Sequence, residues 1–265
     1  MVTLTHYVRD IWRHRDLVRS LVWRDFCTRY KQAVLGFGWA VLYPIALAAI
    51  LWLAFEVLQQ GPTTGKPRLL VYYCGLHAFN LFASGVIYGT ISVVANGGLL
   101  TRVRVPTEAF PLSAVLSSLF DYVFASAALV GLMVWYRSHV VVGLNWVWAP
   151  LAITGQLVLT LAVVQVLAAA CVIARDLRYG APILCQLLLF LVPVIYEVPA
   201  VARGAWRWYL LNPLAVYVDC YRRALLDNMP PRWSYFLLAW AVSLVCLWIS
   251  CRLFANARNK FADVL

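Results

Sequence analysis

Long apolar segments joined by short polar connections dominate this chain, and they begin only after a mixed N-terminal region. In residues 1–33 basic and apolar side chains alternate, whereas no charge occurs between Lys31 and Glu56. About 20 apolar residues suffice to cross a bilayer as a helix, so each later apolar segment predicts a transmembrane helix. The six predicted spans cover residues 34–58, 69–95, 112–136, 146–174, 181–198 and 233–254. The predicted fold class is an all-α integral membrane protein with six transmembrane helices, whose transmembrane domain is 34–265.

The N-terminal region, residues 1–33, has the periodicity of an amphipathic helix. Ile11 and Leu21 are among the apolar residues that recur at helical intervals, and Arg9 and Arg13 are among the basic residues between them. This pattern is typical of a helix that lies in the headgroup plane with its apolar side toward lipid. A cytosolic helix packed on a partner protein is the alternative. Both interpretations make residues 1–33 a cytoplasmic interface region.

A second unusual segment, residues 199–231, precedes the last predicted span. Asn212 and Pro213 interrupt its apolar pattern, because a proline disfavours helix at the residue before it. The amphipathic pieces on either side are each too short to cross a bilayer. Backbone that enters a membrane without crossing it must be covered by protein or line a wet cavity. We therefore predict a re-entrant helical hairpin at the outer face.

The Lys and Arg residues give the predicted orientation of the spans. If the N-terminus is inside, fourteen of the 22 lie in cytoplasmic segments and eight lie outside. Cytoplasmic loops carry an excess of these residues, so both termini are predicted to be cytoplasmic. The net charge of +11 would otherwise suggest a nucleic-acid partner, but that needs a soluble domain with a basic face. With 63% hydrophobic residues, the chain offers no such domain, and anionic membrane lipids are the expected contact.

Polar and aromatic side chains in the first two spans are the candidates for a substrate path. One face of the second span carries such residues at spacings of three and four. The candidates are Tyr73, His77, Asn80, Ser84 and Tyr88 in the second span, with Trp39 and Tyr43 in the first. Polar groups in a span face the bundle interior or a watery path, and flat aromatic rings suit passing sugar rings. Hydrogen bonding and packing between helices is the alternative, which the small residues Gly85 and Gly89 favour.

Asp121 follows Ser113 and Ser117 at helical spacing in the third span. A buried acid in a membrane is costly and needs a partner. Asp121 is therefore either a proton relay, which with His77 would make the protein a proton-coupled carrier, or a structural acid paired with an Arg from another segment. The pattern by itself is compatible with both.

No motif in the chain points to an enzyme or to a nucleotide site. Residues 61–67, GPTTGKP, resemble a phosphate loop, but only three residues separate the glycines where four are needed. Pro67 also stands where a Ser or Thr would hold magnesium. A membrane-embedded transferase would need paired acids or an acid–histidine cluster at one membrane face, whereas the candidate acids are scattered. The chain is predicted to have no catalytic residue, no metal site and no cofactor of its own.

Four motifs together resemble a known family over essentially the whole chain. They are RDFCTRYKQAVLGFGWAVLYP at 24–44, LLTRVRVPTEAFP at 99–111, ARDLRYGAP at 174–182 with PVIYEVP at 193–199, and LNPLAVYVDCYRRALL at 211–226. In this order they are similar to the transmembrane subunits of ABC-2 type exporters. The most similar members are the permeases for polysaccharide, O-antigen or teichoic-acid export.

The resemblance implies a homodimer of this chain that forms the transport path above two separate ATP-binding subunits. ATP and magnesium would bind to those subunits, residues 1–33 would be the interface helix, and residues 101–111 would be the coupling helix. The residues expected to couple the chain to the ATPase are Arg24, Arg29, Lys31, Thr101, Arg102, Arg104 and Glu108. The hairpin before the last span would shield the outer exit.

The function that follows is the transmembrane subunit of an ATP-driven exporter. It would move a lipid-linked, O-antigen-like polysaccharide across the inner membrane of a bacterium. Export of teichoic acid, capsule, a small lipid or a drug is the alternative within the same family. A membrane-embedded transferase and a proton-coupled carrier are alternatives from other classes.

Overall fold

A computed structural model describes residues 9, 11–31, 33–58, 66–100, 106–194 and 206–258. Within these ranges every regular element is a helix, as the apolar pattern predicted. The main helices are α1 Arg15–Tyr30, α2 Gly38–Leu58, α3 Arg68–Thr90, α4 Ala109–Trp135, α5 Trp148–Ile173, α6 Leu177–Leu191, α7 Pro213–Asp227 and α8 Trp233–Ala257. Shorter helical pieces are Ser92–Ala95, Gly97–Leu100, Trp206–Tyr209, and the 3-10 turns Arg137–His139 and Leu144–Val147.

Four of the helices are long and apolar enough to cross a membrane. They are α3, α4, α5 with its preceding turn, and α8. The other two predicted spans correspond to α2 and α6, whose apolar stretches, Gly38–Ala54 and Leu177–Leu191, are shorter. Because a helix rises about 1.5 Å per residue, the 15 residues of α6 extend only about 22 Å, less than the roughly 30 Å of a hydrocarbon core. The described helix is thus shorter than the predicted fifth span.

Helix α1 buries the centre of its apolar face against α4. Val18, Leu21 and Phe26 are buried, and the Phe26 ring stacks on Phe120 of α4 with 4.7 Å between ring centroids. The sequence left open whether this region lies in the headgroup plane or packs on a partner protein, and both remain predictions. The central apolar side chains of the helix are covered by the chain's own α4, which removes their area from water and adds close aromatic packing. Trp23 on the same helix is exposed.

Helix α3 packs closely on α5 along its two predicted small residues. A Cβ atom added to Gly85 would lie 2.7 Å from Cγ2 of Thr160. One added to Gly89 would lie 2.8 Å from Cγ2 of Val164, and closer still to Cγ1. Only glycine permits this approach of the two helices, as in other small-residue contacts between membrane helices. The predicted packing role of the pair is confirmed.

The segment before α8 contains two helices separated at Asn212, as predicted. Trp206–Tyr209 precedes the break, and α7 follows it with Pro213 in its first turn. The Asn212 side chain accepts a hydrogen bond from the backbone N–H of Leu214 at 3.0 Å, which caps the helix. Most of α7 is buried, and it contacts α3, α5 and α8. Residues 199–205 of the predicted hairpin lie outside the described part of the chain.

Removing this cap gives the first testable prediction. Asn212→Ala is expected to lower the free energy of unfolding by about 1 kcal/mol, because the first turn of α7 loses a side-chain acceptor. Thermal unfolding of the detergent-solubilised protein measures the change. Asn212→Asp keeps an acceptor at the same place and should unfold near the wild-type temperature. Equal losses in the two variants would contradict the capping role.

Candidate functional site

A cavity of about 400 Å³ lies between the end of α1, the start of α2, and the middle of α3 and α4. Six of the seven side chains predicted for the substrate path line it. They are Trp39 and Tyr43 from α2, and His77, Asn80, Ser84 and Tyr88 from α3. The structure therefore brings the predicted residues of two different helices, α2 and α3, to one cavity.

Tyr73, the seventh predicted residue, does not line the cavity. It is fully buried, and its hydroxyl donates a hydrogen bond to the backbone carbonyl of Ala125 at 2.8 Å. This bond ties α3 to α4. Tyr73 therefore forms a hydrogen bond between helices, which was the alternative to a place in the substrate path.

The aromatic side of the cavity is formed by the start of α2. Trp39 and Tyr43 lie one turn apart, and both remain about half exposed, at 50% and 61%. The turn that leads into α2 contains Gly36 at φ +50°, a left-handed conformation that side chains other than glycine rarely adopt. Gly36 therefore sets the direction in which α2 leaves α1 and presents these rings.

An ion pair between α1 and α4 closes one side of the cavity. Nη1 of Arg29 donates to Oδ2 of Asp121 at 2.5 Å, and Nη2 donates to Oγ of Ser117 at 2.5 Å. Both charged side chains are largely buried, with 6% and 15% of their surfaces exposed. The Arg29 guanidinium also lies over the ring of Tyr88, 3.9 Å from its centroid. Of the two interpretations of Asp121, the structure confirms the pairing with an Arg from another segment.

Tyr30 adds a second donor to the same carboxylate. Its hydroxyl donates to Oδ1 of Asp121 at 2.7 Å. Burial raises the pKa of Tyr30 above its ordinary value, and the hydrogen bond to Asp121 raises it further. The phenol therefore keeps its proton, and the Asp121 carboxylate accepts bonds on both oxygens.

His77 of α3 lines the cavity and packs against Tyr122 of α4 and Tyr221 of α7. Only 1% of its surface is exposed, and its Nε2 lies 3.0 Å from Oγ of Ser126. Its ring stacks on Tyr122 with centroids 4.1 Å apart. The Tyr122 hydroxyl donates to the Tyr221 hydroxyl of α7 at 2.8 Å. Tyr122 links the cavity wall to the segment before α8.

The residues predicted to couple to an ATPase are placed in different surroundings. Arg29 lines the cavity. Arg24 contacts Asp25 at 2.8 Å and Asn96 at 2.7 Å, and Glu108 is buried and contacts Arg258 at 3.2 Å. Lys31 is exposed just after α1. Thr101, Arg102 and Arg104 lie outside the described residues.

Three polar residues that line the cavity were not among the sequence-based candidates. Tyr30 ends α1, and Ser118 and Tyr122 extend the α4 stripe that Asp121 belongs to. Ser118 and Tyr122 follow directly after Ser117 and Asp121 and are themselves four residues apart. Because i and i+4 positions share a helix face, a search for this spacing on the neighbouring face would have found them. Nothing in the pattern marks Tyr30. In the described part of the chain no group of three or more His, Cys, Asp or Glu side chains could hold a metal ion.

Comparison with known proteins places this arrangement in a family. Residues 16–226 match the ABC-2 type transporter family. The chain is 29% identical over 262 residues to the O-antigen export system permease protein RfbA of Myxococcus xanthus, covering 97% of this chain and 98% of that protein. It is 23% identical over 252 residues to a protein of the same name from Klebsiella pneumoniae, covering 94% and 95%. The polysialic acid transport protein KpsM of Escherichia coli is 26% identical over 214 residues, covering 80% and 81%. Because the family match extends over most of its length, this chain belongs to the ABC-2 type transporter family.

Proposed function

We propose that the chain is the transmembrane subunit of an ATP-driven exporter of lipid-linked, O-antigen-like polysaccharide in a bacterial inner membrane. The observation that carries this proposal is the cavity, whose aromatic and polar residues suit a sugar chain. Trp39 and Tyr43 offer flat faces for the apolar sides of sugar rings, and Asn80 and Ser84 offer hydrogen-bonding groups for hydroxyls. The full-length similarity to permeases named for O-antigen export supports the same substrate class.

The proposed assembly contains two copies of this chain and two ATPase subunits, which bind ATP and magnesium. Six spans with both termini in the cytoplasm fit the distribution of Lys and Arg. Residues 1–33 and 101–111 are proposed to face the ATPase, and residues 199–231 to form the re-entrant hairpin at the outer face. The exposed apolar side chains of α2 and α6, such as Leu53 and Phe190, suit contact with lipid or with the second copy.

The contacts of Asp121 and of the other acids weigh against the two rival classes. Asp121, the acid on which a proton relay would depend, instead pairs with Arg29 and accepts from Tyr30, as expected for a structural acid. A transferase needs acids gathered at one place. Glu108, Asp219 and Asp227 instead pair with three different basic residues, Arg258, Arg232 and Lys66.

Two measurements test the proposal. Mild detergent extraction should recover the chain with a stoichiometric ATPase subunit, whose ATP hydrolysis responds to this chain. Deletion of the gene should then leave lipid-linked glycan on the inner leaflet, and the chemical class that accumulates separates O-antigen from teichoic acid, capsule, small lipids or drugs. Recovery of the chain alone under several gentle conditions would overturn the proposal.

The aromatic pair gives a prediction about export itself. Trp39→Ala combined with Tyr43→Ala is expected to reduce export of long glycans about tenfold, because each stacking ring contributes roughly 0.5–1.5 kcal/mol. Glycan length at the cell surface and the amount of folded protein are measured together. Trp135→Ala, at an exposed position away from the cavity, is the control. If folded protein falls as much as export does, the rings act in packing instead.

A further inference from the structure

Two consecutive residues in the middle of α4 attach two different helices to the wall of the cavity. Asp121 contacts the end of α1, and Tyr122 contacts α7. Both residues also line the cavity. Successive residues of an α-helix point about 100° apart, so one rigid turn can hold partners on two sides. A helix from the N-terminal part and one from the C-terminal part are therefore bonded to two adjacent residues of α4 that line the cavity.

The attachment of α1 consists of charge-assisted and neutral hydrogen bonds. The two oxygens of Asp121 accept from Arg29 at 2.5 Å and from Tyr30 at 2.7 Å. Arg29 also donates to the carbonyl oxygen of Ala114 at 3.2 Å and to Ser117. These bonds span two turns of α4. The end of α1 cannot move relative to α4 without breaking at least one of them.

The attachment of α7 is a single hydroxyl pair inside an aromatic group. Tyr122 donates to Tyr221 at 2.8 Å, and Tyr221 is only 4% exposed. The Tyr122 ring is also stacked on His77, which lines the cavity and whose ring centroid lies 6.0 Å from that of Tyr221. The rings of His77, Tyr122 and Tyr221 therefore form one cluster that joins the cavity wall to α7.

We propose that Asp121 and Tyr122 are positioning residues that couple occupancy of the cavity to the placement of α1 and α7. A sugar hydroxyl in the cavity can donate to Oδ1 of Asp121 in place of Tyr30, which loosens the end of α1. The same occupant presses on the Tyr122 ring and shifts its hydroxyl relative to Tyr221. The inference rests on the proposed function for the nature of the occupant, but its first test does not.

The first test uses the purified chain in detergent micelles, without ATPase or glycan. Asp121→Asn is expected to speed amide hydrogen exchange about tenfold in residues 24–31 and to leave α7 unchanged. Tyr122→Phe and Tyr221→Phe are expected to speed exchange in α7 and to leave α1 unchanged. Tyr73→Phe is the matched control, because it removes a buried tyrosine bond to α4 that reaches neither helix.

The second test separates positioning from mere stability. Proteoliposomes that contain the chain, its ATPase subunits and lipid-linked glycan extracted from the source bacterium report the glycan exported per ATP hydrolysed. A folding defect lowers both quantities together and leaves this ratio unchanged. Loss of positioning should lower the ratio at least fivefold for Asp121→Asn and for Tyr122→Phe, with partial rescue by Asp121→Glu. Glu56→Gln, which neutralises an exposed acid paired with Arg68, should keep the wild-type ratio.

Either of two results would overturn the inference. One is exchange in α1 and α7 that does not respond to Asp121→Asn and Tyr122→Phe. The other is a wild-type ratio of export to hydrolysis in both variants. If the proposed function is wrong, the wild-type chain itself will show no ATPase partner or no glycan export. The exchange measurement would still decide whether Asp121 and Tyr122 attach the two helices.

Discussion

Replacing Arg29 by alanine is expected to lower the free energy of unfolding by about 3–5 kcal/mol, the cost of leaving a buried charge without its partner. The reason is the surroundings of Asp121, which is largely buried and would keep only the Tyr30 hydroxyl from α1 as a donor. The Ser117 hydroxyl and the Ala114 carbonyl would also lose their bonds to the guanidinium. Chemical unfolding in mixed micelles, followed by tryptophan fluorescence, measures the loss.

The double variant Arg29→Met with Asp121→Leu is the matched control for this prediction. Replacing both members of a buried ion pair by apolar residues is often close to neutral. We therefore expect the double variant to recover most of the stability that Arg29→Ala loses. A double variant as unstable as the single one would mean that packing of the Arg29 stem, and not the charge, holds α1 in place. Recovery of stability without recovery of coupled export would support the positioning role.

Adding one methyl group at Gly89 is expected to destabilise the protein by about 1–3 kcal/mol, the usual range for overpacking a close contact. The Cβ of Gly89→Ala would lie 2.8 Å from Cγ2 of the fully buried Val164 and nearer still to Cγ1. Helix α3 contacts α2, α4, α5, α6 and α7, so separating it from α5 disturbs the centre of the bundle. The thermal midpoint and the yield of monodisperse protein after solubilisation are the measurements.

Two further variants locate this effect at the contact between α3 and α5. Gly131→Ala on α4 adds the same methyl where no heavy atom lies within 4 Å, so it should be neutral or slightly stabilising. Val164→Ala removes the two methyl groups nearest to the new Cβ and leaves the Val164 Cβ at 3.2 Å. The double variant should therefore lose less stability than the sum of the single losses. Simple additivity would show that the two residues do not limit the approach of the helices.

The apolar pattern predicted the helices well, because burial in lipid and burial in protein both require apolar side chains on a helix. A run of apolar residues must be helical in a membrane, because only a helix satisfies its own backbone there. The predicted spans at 112–136 and 233–254 therefore agree with α4 and α8 to within three residues. The predicted fifth span continues past Leu191, where α6 ends. The apolar sequence continues beyond this residue, and it does not reveal where helical backbone ends.

The partners of the polar residues depended on tertiary structure. Helical spacing put His77, Asn80 and Ser84 on one face of α3, and it put Asp121 on a face of α4. Spacing within a helix carries no information about which other helix faces it, so both roles of Asp121 stayed open. The approach of α1 along α4 decided this point by bringing Arg29 and Tyr30 to the carboxylate.

The amino-acid pattern was sufficient to identify a helical membrane protein, and its ordered motifs resembled the family to which the chain belongs. These properties depend on composition, local periodicity and short motifs, which a linear pattern contains. The three-dimensional arrangement was needed to show that Trp39 and Tyr43 share a cavity with the polar residues of α3. It was also needed to show that Tyr73 is excluded from this cavity and that Tyr122 reaches α7. Such contacts join residues far apart in the chain, and they are fixed by how closely helices pack at small residues, which no single segment specifies.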